Sequence, residues 1–146
     1  MNLTSKHTTR LIAAAALGSS IAVLAGCGAL PRVDLNAKAN NPAKGKSLFI
    51  KSCGSCHAFA DAETTGTVGP NLDDAFASVK AQGFDQTTIV DVIRGQISLP
   101  DTNPGTGFPG MPADLLRGQD ARDVAIYVAK CAENESCGVT AAPVDG

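Results

Sequence analysis

Cys53-Gly54-Ser55-Cys56-His57 is the stretch on which the reading of the whole chain turns. Two cysteines three apart, followed at once by a histidine, put two thiols and an imidazole on a single turn of backbone. Three ordinary uses of such cysteines fit poorly. A disulfide within the pair does not require the histidine. A thioredoxin-like exchange site needs alternating strands and helices, and the sequence offers no convincing buried strand run. A zinc site needs two further ligands, for which only Cys131 and Cys137 remain.

The spacing fits the attachment sequence of haem c. Thiols three apart on a helical turn reach the two vinyl groups on one edge of a porphyrin, and the next residue's imidazole falls beneath the iron. The expected cofactor is therefore one covalent haem c, bound through Cys53 and Cys56 with His57 as a metal ligand.

The composition agrees with a small domain built around such a group. The chain has 146 residues, room for one modest domain. Aromatics are only 4%, with five Phe, one Tyr and no Trp, a thin supply of large core side chains. A haem would supply the missing apolar bulk. Lys and Arg number 12 against 14 Asp and Glu, scattered without a basic run, so no nucleic-acid partner is expected. With only His7 and His57, a multi-histidine metal site is excluded.

The N-terminus reads as an address. Lys6, His7 and Arg10 precede an uncharged run from Leu11 to Ala25, the pattern of a secretory signal. As a helix those fifteen residues reach about 22 Å, short of the roughly 30 Å hydrocarbon core. Leu24-Ala25-Gly26-Cys27 resembles the lipobox of bacterial lipoproteins, which makes residues 1–26 a signal peptide and Cys27 the expected lipidation site. Its removal takes away Lys6 and Arg10 and no acid, moving the net charge from −2 to −4. Residues 28–41 lack periodicity and read, with Cys27, as a tether. Export places the chain where disulfides form, so Cys131 and Cys137 are a possible pair. The stretch beyond residue 132 reads as a C-terminal tail, fraying from Gly138 onward.

From about Asn41 to Cys131 the chain resembles a class I bacterial cytochrome c. Besides the attachment sequence, Gly45 and Phe49 are similar to the Gly–aromatic pair of that family's first helix. Gly69-Pro70-Asn71-Leu72 resembles the loop whose proline carbonyl accepts a hydrogen bond from the proximal imidazole. Pro109-Gly110-Met111-Pro112 resembles the loop that delivers the axial thioether, and Leu116, Asp120, Val124, Tyr127 and Val128 match the last helix. The resemblance implies an all-α fold, three to five helices wrapped around one haem, over residues 42–132. Inventory points the same way for the sixth ligand: after export Met111 is the sole methionine, in a Pro- and Gly-rich segment without helical or strand pattern. Pro70 would fix the imidazole tautomer.

Local signals place the helices. Asn41-Pro42 reads as N-cap and first position of a helix through about Lys51. Gly45 inside it implies a close helix crossing. Asp85 caps a second helix with Ile89, Val90, Ile93 and Ile97 on one face. Asp73–Ala81 suits a short helix, and Ser98–Gly110 a long loop. A final helix over about Gln119–Cys131 carries a stripe of Ala121, Val124, Ala125 and Val128. Its start departs from the family, with Arg117 and Gly118 where Ser or Thr usually caps.

The expectation for function is a one-electron carrier, not an enzyme, anchored to the outer face of the bacterial cytoplasmic membrane. Its expected partners are a quinol-oxidising complex or dehydrogenase as donor and a terminal oxidase or reductase as acceptor. Two alternatives stand beside it: a haem c subunit of such a terminal complex, and a haem sensor or enzyme with a displaceable Met111.

Overall fold

The structure, a computed structural model, describes residues 33–102, 109–134 and 137–144. The expected signal peptide, Cys27 and the middle of the Ser98–Gly110 loop lie outside the described residues. No helix among the described residues is long and apolar enough to cross a membrane.

Helix α1 spans Pro42–Ser52. Asn41 caps it, its side chain accepting from the Lys44 N–H at 3.0 Å, and proline occupies the first turn, where an N–H would be unpaired anyway. A short antiparallel hairpin follows, β1 (His57–Phe59) and β2 (Thr64–Thr67), joined through a 3₁₀ turn at Ala60–Ala62. The sequence reading found no strand here because three- and four-residue strands are too short to show an alternation. Helix α2 covers only Ala77–Ala81, four residues later than the expected start at Asp73. Helix α3 spans Gln86–Ser98, with Asp85 accepting from the Thr88 N–H at 2.8 Å and burying Ile89, Val90, Ile93 and Ile97. Helix α4 runs Gly118–Cys131. It starts without a side-chain cap, but Asp120 in its first turn complements the helix dipole and pairs with Lys44 at 2.6 Å. The fold is all-α apart from the hairpin, with four helices among the described residues.

Helices α1 and α3 both pack on α4, the most deeply buried element. Gly45 sits where α1 crosses α4: a Cβ there would run into the Asp123 carbonyl and the Tyr127 Cβ. Asp123 in turn is buried and accepts from the Asn41 N–H at 2.9 Å, so α4 also fixes the start of α1. This crossing yields a prediction in which the sign is informative. Gly45→Ala gains about 1 kcal/mol of helix propensity, whereas forcing a methyl into a filled crossing costs about 1–3 kcal/mol. We expect net destabilisation of roughly 1 kcal/mol in thermal melts. A stabilised variant would show that the crossing has room.

Both ends of the described domain pack against it. Residues 33–41 do not stand apart: Val33 is buried, Leu35 packs on the core, and Asn40 donates to the Asp34 carbonyl at 2.8 Å. The apolar side chains of Val33 and Leu35 find the domain surface. Nor does the tail fray at Gly138. Val139 is buried, Ala142 N–H donates to the Ala43 carbonyl at 3.1 Å, and Ser47 Oγ donates to the Ala142 carbonyl. Cys131 and Cys137 are joined by a disulfide, which turns the chain back along α1.

Candidate haem site

The C-terminal end of α1 delivers the attachment segment. Cys53 caps the helix through its N–H on the Phe49 carbonyl, and the N–H groups of both Cys56 and His57 fold back onto the Cys53 carbonyl at 3.0 Å. Both thiols and the imidazole thus sit on one tight turn. Cys53 is buried and Cys56 half-buried, and neither forms a disulfide. Burial, aided by Cys56, pushes the Cys53 thiol up to about 11. That is the opposite of a dithiol-exchange cysteine, whose pKa is lowered to make a nucleophilic thiolate.

His57 Nδ1 lies 2.9 Å from the Pro70 carbonyl oxygen. A carbonyl can only accept, so Nδ1 carries the proton and donates, leaving the lone pair on Nε2. Gly69 makes this possible: a Cβ there would strike the imidazole ring itself. The backbone of the loop therefore closes directly on the ring and, with the Pro70 bond, holds the remaining nitrogen, the one able to bind a metal, in a set direction. Thr64 Oγ1 adds a hydrogen bond to the His57 carbonyl at 2.9 Å from the facing strand.

These groups open onto one cavity of about 760 Å³. Cys53, Cys56, His57, Pro70 and Met111 all line it, so the fold brings together residues scattered over nearly sixty positions of chain. Its walls are mainly apolar: Phe49 from α1, Leu72 and Phe76 from the loop before α2, Ile93 and Ile97 from α3, and Val124 and Val128 from α4. The apolar faces of α3 and α4 thus serve both the core and the cavity wall. The Met111 loop is tied to α3 by the Asp114 N–H on the Ile97 carbonyl at 2.8 Å. The donor set tests well against a haem: two unpaired thiols one turn apart, an imidazole with a free Nε2, a thioether, and an apolar volume large enough for a flat macrocycle.

A family model for cytochrome c matches residues 42–132, more than half of the chain. The chain belongs to the cytochrome c family. Comparison with curated proteins and with solved structures gives no match. Family membership makes the cytochrome a haem-based electron-transfer domain whose haem c is covalently bound.

One cluster of this cytochrome was not read from the sequence. Asp61, 6% exposed, accepts from the Tyr127 hydroxyl at 2.7 Å and from the Cys137 N–H at 3.0 Å, and pairs with Lys46 at 3.1 Å. Burial alone would raise its pKa, but these hydrogen bonds and the Lys46 charge outweigh burial and hold the carboxyl below its ordinary value. Tyr127 is pushed the other way, first by burial and then by its bond to Asp61. The rings of Phe49, Phe59 and Tyr127 pack edge to face at 5.3–6.0 Å, linking this cluster to the cavity wall at Phe49. A lone acid inside Ala58-Phe59-Ala60-Asp61-Ala62 was the available signal, since a charge amid apolar residues asks for a buried partner.

Proposed function

We propose that this cytochrome is an exported, lipid-anchored one-electron carrier with a single haem c. Cys53 and Cys56 would bind the haem through thioether links, and His57 Nε2 and Met111 Sδ would ligate the iron. The observation that carries this reading is the convergence of two thiols, a directed Nε2 and the sole domain methionine on one apolar cavity. Such a haem supplies a reversible one-electron change between ferric and ferrous iron.

The chain's own residues suit carriage over catalysis. Gly69 and Pro70 hold the imidazole by backbone contacts, and the apolar walls keep water from the site. Met111 as the second protein ligand would raise the reduction potential and would leave the iron no open position for a substrate. Val68, Val92 and Leu115 line the cavity yet remain 40–50% exposed, forming an apolar rim suited to brief contact with redox proteins. The partners fitting an anchored carrier are a quinol-oxidising complex or dehydrogenase as donor and a terminal oxidase or reductase as acceptor. The anchor itself would be Cys27, on the outer face of a bacterial cytoplasmic membrane.

The test is mass spectrometry on membrane-extracted protein. The denatured chain should retain the mass of one haem and begin at an acylated Cys27, and Cys53→Ser with Cys56→Ser should carry none. Haem lost on denaturing the wild type would overturn covalent attachment. A soluble product beginning elsewhere would overturn the anchor.

A further inference from the structure

We infer that Asp73 is a positioning residue for the His57 imidazole, acting through the carbonyl of Pro70. The inference rests on the reading of His57 as an iron ligand through Nε2. Residues 56–60 and 69–73 run side by side and are joined by four hydrogen bonds in series. Gly69 N–H donates to the Cys56 carbonyl at 2.8 Å, and His57 Nδ1 donates to the Pro70 carbonyl at 2.9 Å. Leu72 N–H donates to the Ala58 carbonyl at 2.9 Å, and Ala60 N–H donates to Asp73 Oδ1 at 2.8 Å.

The acceptors of the first three bonds are backbone carbonyls; the last is a side chain. The reason lies in what Asp73's backbone does instead. Its N–H turns back to Asn71 Oδ1 at 2.9 Å, and its carbonyl accepts from the Glu133 N–H at 2.6 Å, just past the end of α4. The carboxylate completes the series that the backbone has left. The Gly69–Pro70 peptide has no N–H, so between the Gly69 and Leu72 N–H groups the backbone bonds leave a gap in which the Pro70 carbonyl lies. That carbonyl is held only through the bonds on either side, Gly69 before it and Leu72 after it, and Asp73 secures the far end.

Ala60 is exposed, so water can serve its N–H if the carboxylate is removed. Stability would change little, whereas the placement of the Pro70 carbonyl would loosen. A weaker bond from Nδ1 makes the imidazole a poorer donor to iron, which disfavours the ferric form and raises the potential. Removing the negative charge raises the potential as well, so the two effects must be separated.

Three variants of the holoprotein separate them. Asp73→Asn keeps an oxygen acceptor and loses the charge. Asp73→Ala loses both. Ala60→Pro removes the donor and keeps the charge; it falls at the first position of the 3₁₀ turn, after an extended Phe59 (φ −157°, ψ 111°), where proline is accommodated. Each is titrated spectroelectrochemically, reading the ferrous-to-ferric ratio at fixed ambient potential. We expect Asp73→Ala to exceed Asp73→Asn by about threefold in that ratio, about 28 mV at 59 mV per tenfold. Ala60→Pro should show the same excess over wild type, and all three should melt within a few degrees of wild type. Equal ratios for Asp73→Ala and Asp73→Asn, or a wild-type ratio for Ala60→Pro, would overturn the proposal. Loss of haem from Asp73→Asn would overturn it too, since it would make Asp73 a structural element of the site. A wild-type protein lacking a histidine-ligated, low-spin haem would instead overturn the ligand assignment beneath it.

Discussion

Met111→Ala is expected to abolish the weak far-red absorption band of a methionine–ferric haem and to lower the reduction potential on the order of 0.1 V or more, within the roughly 0.8 V that axial ligands command. The physical reason is the inventory of the domain. His57 is its single histidine and Met111 its single methionine, so no second soft donor can replace the thioether. The loop carrying Met111 has its own support in the Asp114–Ile97 hydrogen bond, so truncating the side chain should leave the wall in place. The ferric iron of the variant should then turn high-spin. Absorption spectra of wild type and variant, with a redox titration of each, decide the matter. A wild-type protein that is already high-spin would sink the carrier reading and favour the sensor or enzyme alternative.

The second large effect is expected at Asp61, far from the thiols in role though linked to them by packing. Removing one member of a buried ion pair costs about 3–5 kcal/mol, because the partner is left uncompensated. Lys46 keeps the Val139 carbonyl as an acceptor at 2.9 Å, which softens its share of the loss. Tyr127 is wholly buried, however, and its hydroxyl and the Cys137 N–H would both lose their acceptor. We therefore expect Asp61→Ala to cost about 3 kcal/mol, roughly 12 °C in Tm for a domain of this size. A loss under about 1 kcal/mol would mean that the cluster does not hold the tail and the helices together.

The pH dependence of that stability follows from the direction of the shift. Asp61 is held below its ordinary pKa in the fold. Its contribution is therefore fully present above the unfolded value of about 4 and is lost as pH falls through the lower, folded value. Wild type should lose stability on acidification below about pH 4, and Asp61→Asn, starting lower, should lose less over the same window. Chemical denaturation at stepped pH measures both. Parallel curves for the two proteins would assign the acid sensitivity to other carboxylates.

Some of this molecule is local and was open to reading from the chain alone. The attachment turn at Cys53–His57 needs only five consecutive residues, because its geometry is a single turn of backbone. The caps at Asn41 and Asp85 act within three residues of themselves, and the stripe on α3 repeats at the helical period, so these elements lie where the sequence puts them. Gly45 was legible as a crossing point because a glycine inside a helix costs stability unless something approaches closely.

Other features depend on which distant segments meet. Asp61 becomes a hub only when Lys46, Tyr127 and Cys137 arrive from three parts of the chain. The tail and residues 33–41 looked free because their composition is small and polar, yet single apolar residues, Val33 and Val139, found a surface to bury against. Asp73 gave no sign at all, since a side chain replacing a backbone acceptor has no local pattern. The sequence by itself determined the chemistry of this protein, two thiols, one imidazole and one thioether, because that chemistry is carried by residue type and short spacing. The tertiary structure decided how those groups are held, because hydrogen bonds such as Pro70 to His57 and Asp73 to Ala60 join segments thirteen residues apart, whose meeting only packing can arrange.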